Sequence, residues 1–326
     1  MMPLGRRRLF WTASALAGAA LPAAGQGSWP ERPIRLVVPF AAGTSTDILG
    51  RLIAQHLSRG LDSHTVVVDN RAGAGGTIGA AAVAQAAPDG HTLLVGTIGT
   101  HAVNPHLMRG LPYDPRRDFT PILAHSKTKI LLVVPPALQV RTLQEFLALG
   151  RQRVLNIGSA GTGTTGHLNQ ALLAHLSGVT MNHIPYRDGA QAVTDLLAGR
   201  IDGMFYHTQF VRPHLEQGSM VALGITGAER SRLLPGVPTF AEAGYPDISA
   251  EGWWALFGPP RLPPAIVLRI NRILNEALRE PATLSSLDAS GIEPIGGTPE
   301  ELAAFLSAEL ERWGEVIRRA DIRVDS

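Results

Sequence analysis

The sequence predicts an α/β protein of two lobes, with the polypeptide crossing between them twice. Three observations carry this. Short apolar runs alternate with helical stretches in two successive series, Ile34 to Gly96 and Leu143 to Ile225. Such alternation implies parallel strands covered by helices on both faces. No charged linker separates the two series, and 326 residues suffice for one large domain or two ordinary ones. The first series is too small to be complete without the C-terminal helices. Crossings are therefore expected near 126 and 226, giving lobe 1 as residues 28–126 plus 227–326 and lobe 2 as 127–226.

The elements follow in order. Ile34–Pro39 is a short apolar strand, and Ser45–Ser58 carries Ile48, Leu49, Leu52, Ile53 and Leu57 at helical spacing. Thr65–Asp69 is a β-branched strand. Gly76–Ala87 is a small-residue helix stopped by Pro88-Asp89-Gly90, and His91–Gly96 is a third strand. The loop "GLPYDPRRDFTPI" leads to strands near Ile122–His125 and Ile130–Val134. In the second series Leu143–Leu149, Thr165–Ser177 and Ala190–Ala198 read as helices. Val154–Gly158, Met181–Pro185, Ile201–Phe205 and Val221–Ile225 read as strands. The stretch "PTFAEAGYPDISAEGWWALFGPP" reads as irregular, followed by helices at Ala265–Arg279, Ala282–Ala289 and Pro299–Ala320.

Composition excludes several functions. There are no cysteines, hence no disulfide, thiolate metal site or cysteine nucleophile. Residues 1–27 read as a signal peptide: a basic start, an apolar stretch from Leu9 to Leu21 and a small-residue end. Arg6-Arg7-Arg8-Leu9-Phe10 also fits a loose twin-arginine pattern. Removing Arg6, Arg7 and Arg8 takes the 29 basic residues to 26 against 27 acidic, a net of −1. No basic run follows, so nucleic acid is not an expected partner. No later stretch has the roughly 18 unbroken apolar residues of a membrane helix. The expectation is an exported, monomeric protein.

Two loops between a strand and a helix stand out, "FAAGTSTD" (Phe40–Asp47) and "GSAGTGTTGHL" (Gly158–Leu168). Helix N-termini hold unpaired amides and a partial positive charge, so such loops can hold a carboxylate or phosphate without a cation. Both follow strand C-termini, where open α/β sheets bind ligands. Alternatively, Thr44, Ser45 or Thr46, and Thr164 or Thr165, merely cap their helices. Asp47 suits the helix dipole or can orient the loop. Gly161–Gly166 has Walker spacing, but His167 replaces the lysine, which argues against nucleotide hydrolysis. Gly73, Gly75 and Gly79 depart from the dinucleotide spacing, and no acid follows to hold a ribose. Ser159 is not in a nucleophile elbow. The eleven histidines show no metal spacing, and no metal or cofactor is expected. Asp188 is placed to cap the helix from Ala190, while Tyr186 and Arg187 could line a cleft and Asp202 begins the next strand.

These stretches together resemble the Bug (TctC-type) receptors, the periplasmic solute-binding proteins of tripartite tricarboxylate transporters. The resemblance runs from Trp29 to Pro259 through "WPERPIRLVVPFAAGTSTDILGRLIAQHL", "VVVDNRAGAGGTIGAAAVAQAAPDGHTLLVG", "IGSAGTGTTGHL" and "HIPYRDGAQAVTDLLAGRIDGMF". It implies a periplasmic-binding-protein (Venus-flytrap) fold without catalysis, a small carboxylate between the lobes, and a membrane permease as partner. It places ligand contacts in the loops holding Phe40, Ala41, Gly43, Thr44, Ser45, Thr46 and Asp47, and Ser159, Ala160, Gly161, Gly163 and His167. Pro185, Tyr186, Arg187 and Asp202 are implied near the same cleft, and we place Thr97, directly after the third strand, with them. Two positions depart from the pattern. Thr44 replaces a glycine and would be strained if that site needs positive φ. Asp188 replaces a glycine and disfavours a multiply charged anion. The rival readings are a periplasmic sensor and a hydrolase using Ser159 and His167.

Overall fold

The computed structural model describes residues 29–187 and 189–322. The signal-peptide segment and Asp188 lie outside the described residues. In chain order the first half comprises β1 (Ile34–Val38), α1 (Ser45–Gly60), β2 (Val66–Asn70), α2 (Thr77–Ala84), β3 (Thr92–Thr97), α3 (Asn104–Leu107) and β4 (Thr120–Thr128). Next come β5 (Ile130–Val134), α4 (Leu143–Gly150), β6 (Leu155–Ser159), α5 (Thr165–Ser177), β7 (Met181–Pro185), α6 (Gly189–Leu197), β8 (Gly203–His207), α7 (Thr208–Glu216) and β9 (Val221–Ile225). The chain finishes with β10 (Gly252–Gly258), α8 (Pro264–Leu278), α9 (Pro281–Ala289), β11 (Ile292–Gly296) and α10 (Pro299–Arg319).

The strands form two sheets, a six-stranded one ordered β11-β4-β10-β3-β1-β2 and a five-stranded one ordered β7-β6-β8-β5-β9. Each marks one lobe. Lys129 alone separates β4 of the first sheet from β5 of the second, and the segment 226–251 returns the chain to the first. Both sheets are mixed. β1 pairs in parallel with β2 and β3, and β6 with β7 and β8, but β10 runs antiparallel to β3 and β4, and β5 antiparallel to β8 and β9.

The sequence pattern misses several elements. β10 falls in the stretch read as irregular. Its seven residues are buried throughout, so no polar–apolar alternation marks it. α7 and β11 also went unread: α7 carries Pro213 inside it, and β11 is a mostly exposed edge strand. A π-helical turn at Gly99–Val103 joins β3 to α3.

Local chemistry sets the helices that matter for the site. Thr44 caps α1, accepting from Asp47 N–H at 3.4 Å. Leu49, Ile53 and Leu57 project from one face of α1 into the core with Leu36, Val38, Ile270 and Leu274. Burial of each such side chain stabilises by roughly 1.5–3 kcal/mol. α10 begins with a capping box between Thr298 and Glu301. Its buried Glu309 accepts from both Trp253 and Trp313 indole N–H groups, at 2.8 and 2.9 Å, and so ties α10 to β10.

Candidate ligand-binding cleft

A cavity opens where the C-terminal ends of β1, β3, β6 and β8 face one another. Its lining comes from both sheets: Phe40, Thr44, Ser45, Thr46, Thr97, Ile98 and Gly99 on one side, and Ala160, Thr164, Thr165, Gly166, Arg187, Phe205, Tyr206 and His207 on the other. Ile130 and Gly252-Trp253-Trp254 complete it. Interlobe clefts at such strand ends are usual ligand sites.

The first loop is built to free its amides. Gly43 takes φ +83° and donates its N–H to Asp47 Oδ2 at 2.9 Å. Asn70 Nδ2 bridges Phe40 O (3.1 Å) and Asp47 Oδ1 (2.9 Å), and Arg51 Nε lies 3.0 Å from Asp47 Oδ2. Burial alone would raise the Asp47 carboxyl, but the bonds from Arg51, Gly43 and Asn70 outweigh it and hold its pKa lowered. Asp47 is thus an ionised brace inside the loop. Among the described residues the N–H groups of Ser45 and Thr46 find no protein acceptor.

The second loop repeats the plan. Gly161 and Gly163 take φ +121° and +78°. Thr164 Oγ1 donates to Gly161 O at 2.7 Å, and Gly163 N–H donates to His167 Nδ1 at 3.2 Å. The N–H groups of Thr165 and Gly166 have no protein acceptor among the described residues. Two helix N-termini, one from each sheet, therefore meet at one cavity. Among the described residues, Arg187 is the one charged side chain that lines it. His207 also lines it, its pKa lowered to about 4 by burial, so the ring is neutral at neutral pH.

Similarity to known proteins fits this geometry. The model of the tripartite tricarboxylate transporter family receptor (TctC) matches residues 49–322. The chain belongs to that receptor family. Protein BugT of Bordetella pertussis (strain Tohama I) is 36% identical over 313 residues, covering 95% of this chain and 95% of that protein. The solved structure of R. palustris Rpa4515 with adipate matches with TM-score 0.86 at 36% identity, over 90% of this chain and 99% of that one. MatC (Rpa3494) from Rhodopseudomonas palustris with bound malate matches with TM-score 0.85 at 33% identity, over 89% and 100%. This is a solute receptor with the two-lobed periplasmic-binding-protein fold, and not an enzyme.

Of the residues singled out from the receptor's sequence, Phe40, Thr44, Ser45, Thr46, Thr97, Ala160 and Arg187 line the cavity. Ala41, Gly161, Pro185 and Tyr186 line an adjoining recess that shares Phe40, Ala160 and Arg187 with it. Gly43, Asp47, Ser159, Gly163 and His167 hold the loops in shape rather than lining the cavity.

One expectation is overturned, and two conditional readings do not apply. Asp202 is not near the cleft. It sits at the start of β8, at the opposite end of the sheet, held by Arg153 (2.5 and 2.9 Å) and by Asn156 N–H (2.8 Å). Thr44 is not strained: its φ is −76°, and Gly43 before it takes the positive angle. Ser159 does not pair with His167. Its Oγ lies 2.6 Å from His183 Nε2, is fully buried, and accepts from Gly161 N–H.

The sequence reading missed the wall of the cleft: Ile98 and Gly99, Ile130, Phe205-Tyr206-His207 and Gly252-Trp253-Trp254. The rule that ligands sit at strand C-termini would have found Tyr206 and His207. Trp254 had no such signal, because β10 was unread.

Proposed function

We propose that this receptor captures a small carboxylate in the interlobe cleft and delivers it, from the periplasm, to the membrane subunits of a tripartite tricarboxylate transporter. One observation carries the ligand class. The free amides of Ser45 and Thr46 and those of Thr165 and Gly166 border one cavity from opposite sheets. Each helix end carries about half a positive charge, and Arg187 adds one formal cation. The carboxylate-bound relatives, with adipate and with malate, support this reading. Aromatic and aliphatic walls from Phe40, Ile130, Phe205 and Trp254 suit a ligand with a hydrocarbon body over a compact polyanion. Several charge-assisted bonds of about 1.5–3 kcal/mol each, less ordering costs, suffice for micromolar affinity, about −8 kcal/mol.

The lobes move as 28–126 plus 227–326 against 127–226, and residues 1–27 direct export. The receptor acts as a monomer. Thermal shift followed by calorimetry with adipate, malate and citrate tests the ligand class. At least one of the first two is expected to raise the melting temperature, since a ligand at a hundred times its Kd adds about 2.7 kcal/mol. Stabilisation by neutral solutes alone would refute the proposal.

A further inference from the structure

Ser45 opens α1, which follows β1 of the six-stranded sheet, and His207 ends β8 of the five-stranded sheet; Ser45 Oγ lies 2.7 Å from His207 Nδ1. Both residues line the cavity. Neighbouring rings fix the imidazole: Trp254 and Tyr206 lie at centroid distances of 5.2 and 5.4 Å. Trp254 is in turn tied to α1, donating Nε1–H to Thr46 Oγ1 at 3.0 Å. The second ring nitrogen, Nε2, has no hydrogen-bond partner among the described residues. Gly252 lets the β10 backbone pack against this edge of the ring, since an added Cβ would stand 2.7 Å from Nε2. When a serine hydroxyl donates to Nδ1 of a neutral imidazole, the proton sits on Nε2.

We infer that His207 reads the ligand, and does so only when the lobes are closed: Ser45 orients the ring from across the cleft, and Nε2–H donates to an oxygen of the bound carboxylate. This rests on the carboxylate reading above and adds its specificity element. A ligand that brings an oxygen to Nε2 completes the site. One that brings a methylene there leaves a buried donor unpaired, and such mismatches cost affinity steeply. The pair also joins recognition to closure, because separating the sheets would remove Ser45 from His207.

The test uses the full receptor and three probes: malate, succinate and adipate. Malate and succinate differ by one hydroxyl. Calorimetry on the tightest-binding probe compares wild type, His207→Phe and His207→Gln. His207→Phe keeps a ring against Trp254 without nitrogens, and is expected to bind at least about tenfold more weakly. His207→Gln places an amide near the Nε2 position and is expected to stay within about threefold. In wild-type protein, the Nε2 resonance of His207, assigned from the His207→Gln spectrum, is expected to shift on adding the probe. Unchanged affinity in His207→Phe, or an unmoved Nε2 resonance, overturns the inference and leaves the carboxylate reading intact. Failure of wild type to bind any of the three overturns both.

Discussion

Gly99 and Gly163 meet across the cleft so closely that a methyl group on Gly99 would stand 2.8 Å from the Gly163 carbonyl oxygen. Gly99 begins the π-helical turn after β3, and Gly163 lies in the loop before α5. Backbone from one sheet thus rests on backbone from the other. A neighbouring contact of the same kind sets Gly75 against Thr162 O. The lobes close to this distance because these positions lack a Cβ.

Gly99→Ala is therefore expected to wedge the lobes. Its backbone angle lies outside the positive range, so alanine brings bulk without conformational strain. Affinity for the carboxylate probe should fall about tenfold, or about 1.4 kcal/mol. Small-angle scattering should show that added ligand no longer compacts the molecule. Gly236→Ala, which meets no atom within 4 Å, is the neutral control. Equal affinity in the two variants would show that this contact does not limit closure.

Asp47→Ala should damage the first loop rather than remove a ligand contact. The carboxylate bonds Gly43 N–H, Asn70 and Arg51. Its loss leaves polar groups unpaired and is expected to cost about 1–3 kcal/mol, measured by urea denaturation without ligand. The lowered carboxyl pKa adds a pH signature. The stability that it contributes is full above the unfolded value of about 3.9 and drains as pH falls through the folded one. Asp47→Ala should therefore lose less than wild type in strong acid.

Arg187 and Asp202 separate cleft chemistry from scaffold chemistry. Arg187→Gln removes the one charged side chain lining the cavity among the described residues, and should weaken carboxylate binding about tenfold. Asp202→Ala breaks the contacts with Arg153 and Asn156 at the far end of the sheet. It should lower stability by about 1–2 kcal/mol and leave affinity unchanged. A weakened ligand titration in Asp202→Ala would contradict this placement.

Buried neutral histidines predict acid sensitivity. Burial lowers the pKa of His101 and His125 to about 3, and that of His207 to about 4. In the unfolded chain they titrate near 6.5. Between about pH 6.5 and pH 4 the unfolded state binds more protons, so stability falls as pH falls. Each group contributes up to about 1.4 kcal/mol per pH unit in that window. Urea denaturation at pH 7 and pH 5 should show the decrease. Equal stability at both would show that these rings are hydrated in the folded protein.

The two anion-ready loops were legible because their signals are local. A strand end, a turn of Gly, Ala, Ser and Thr, and an amphipathic helix lie within about twenty residues, and capping needs no distant partner. The same locality exposed Thr44, Ser45, Thr46 and Ala160 as candidates. Asp202 is placed in the cleft by the resemblance alone; it precedes β8, whereas the cavity lies at the opposite, C-terminal, strand ends.

By itself the sequence determined the alternating α/β elements, the two-lobed plan and the two loops with free amides, since each follows from spacing and side-chain chemistry over short stretches. Tertiary structure alone decided the rest of the cleft. β10 inserts antiparallel between β3 and β4, bringing Trp254 beside Thr97, which precedes it by more than 150 residues. The apposition of Ser45 with His207, and of Gly99 with Gly163, likewise depends on how one sheet is carried against the other. Those contacts arise from long-range pairing and lobe closure, for which neighbouring residues hold no periodic signal.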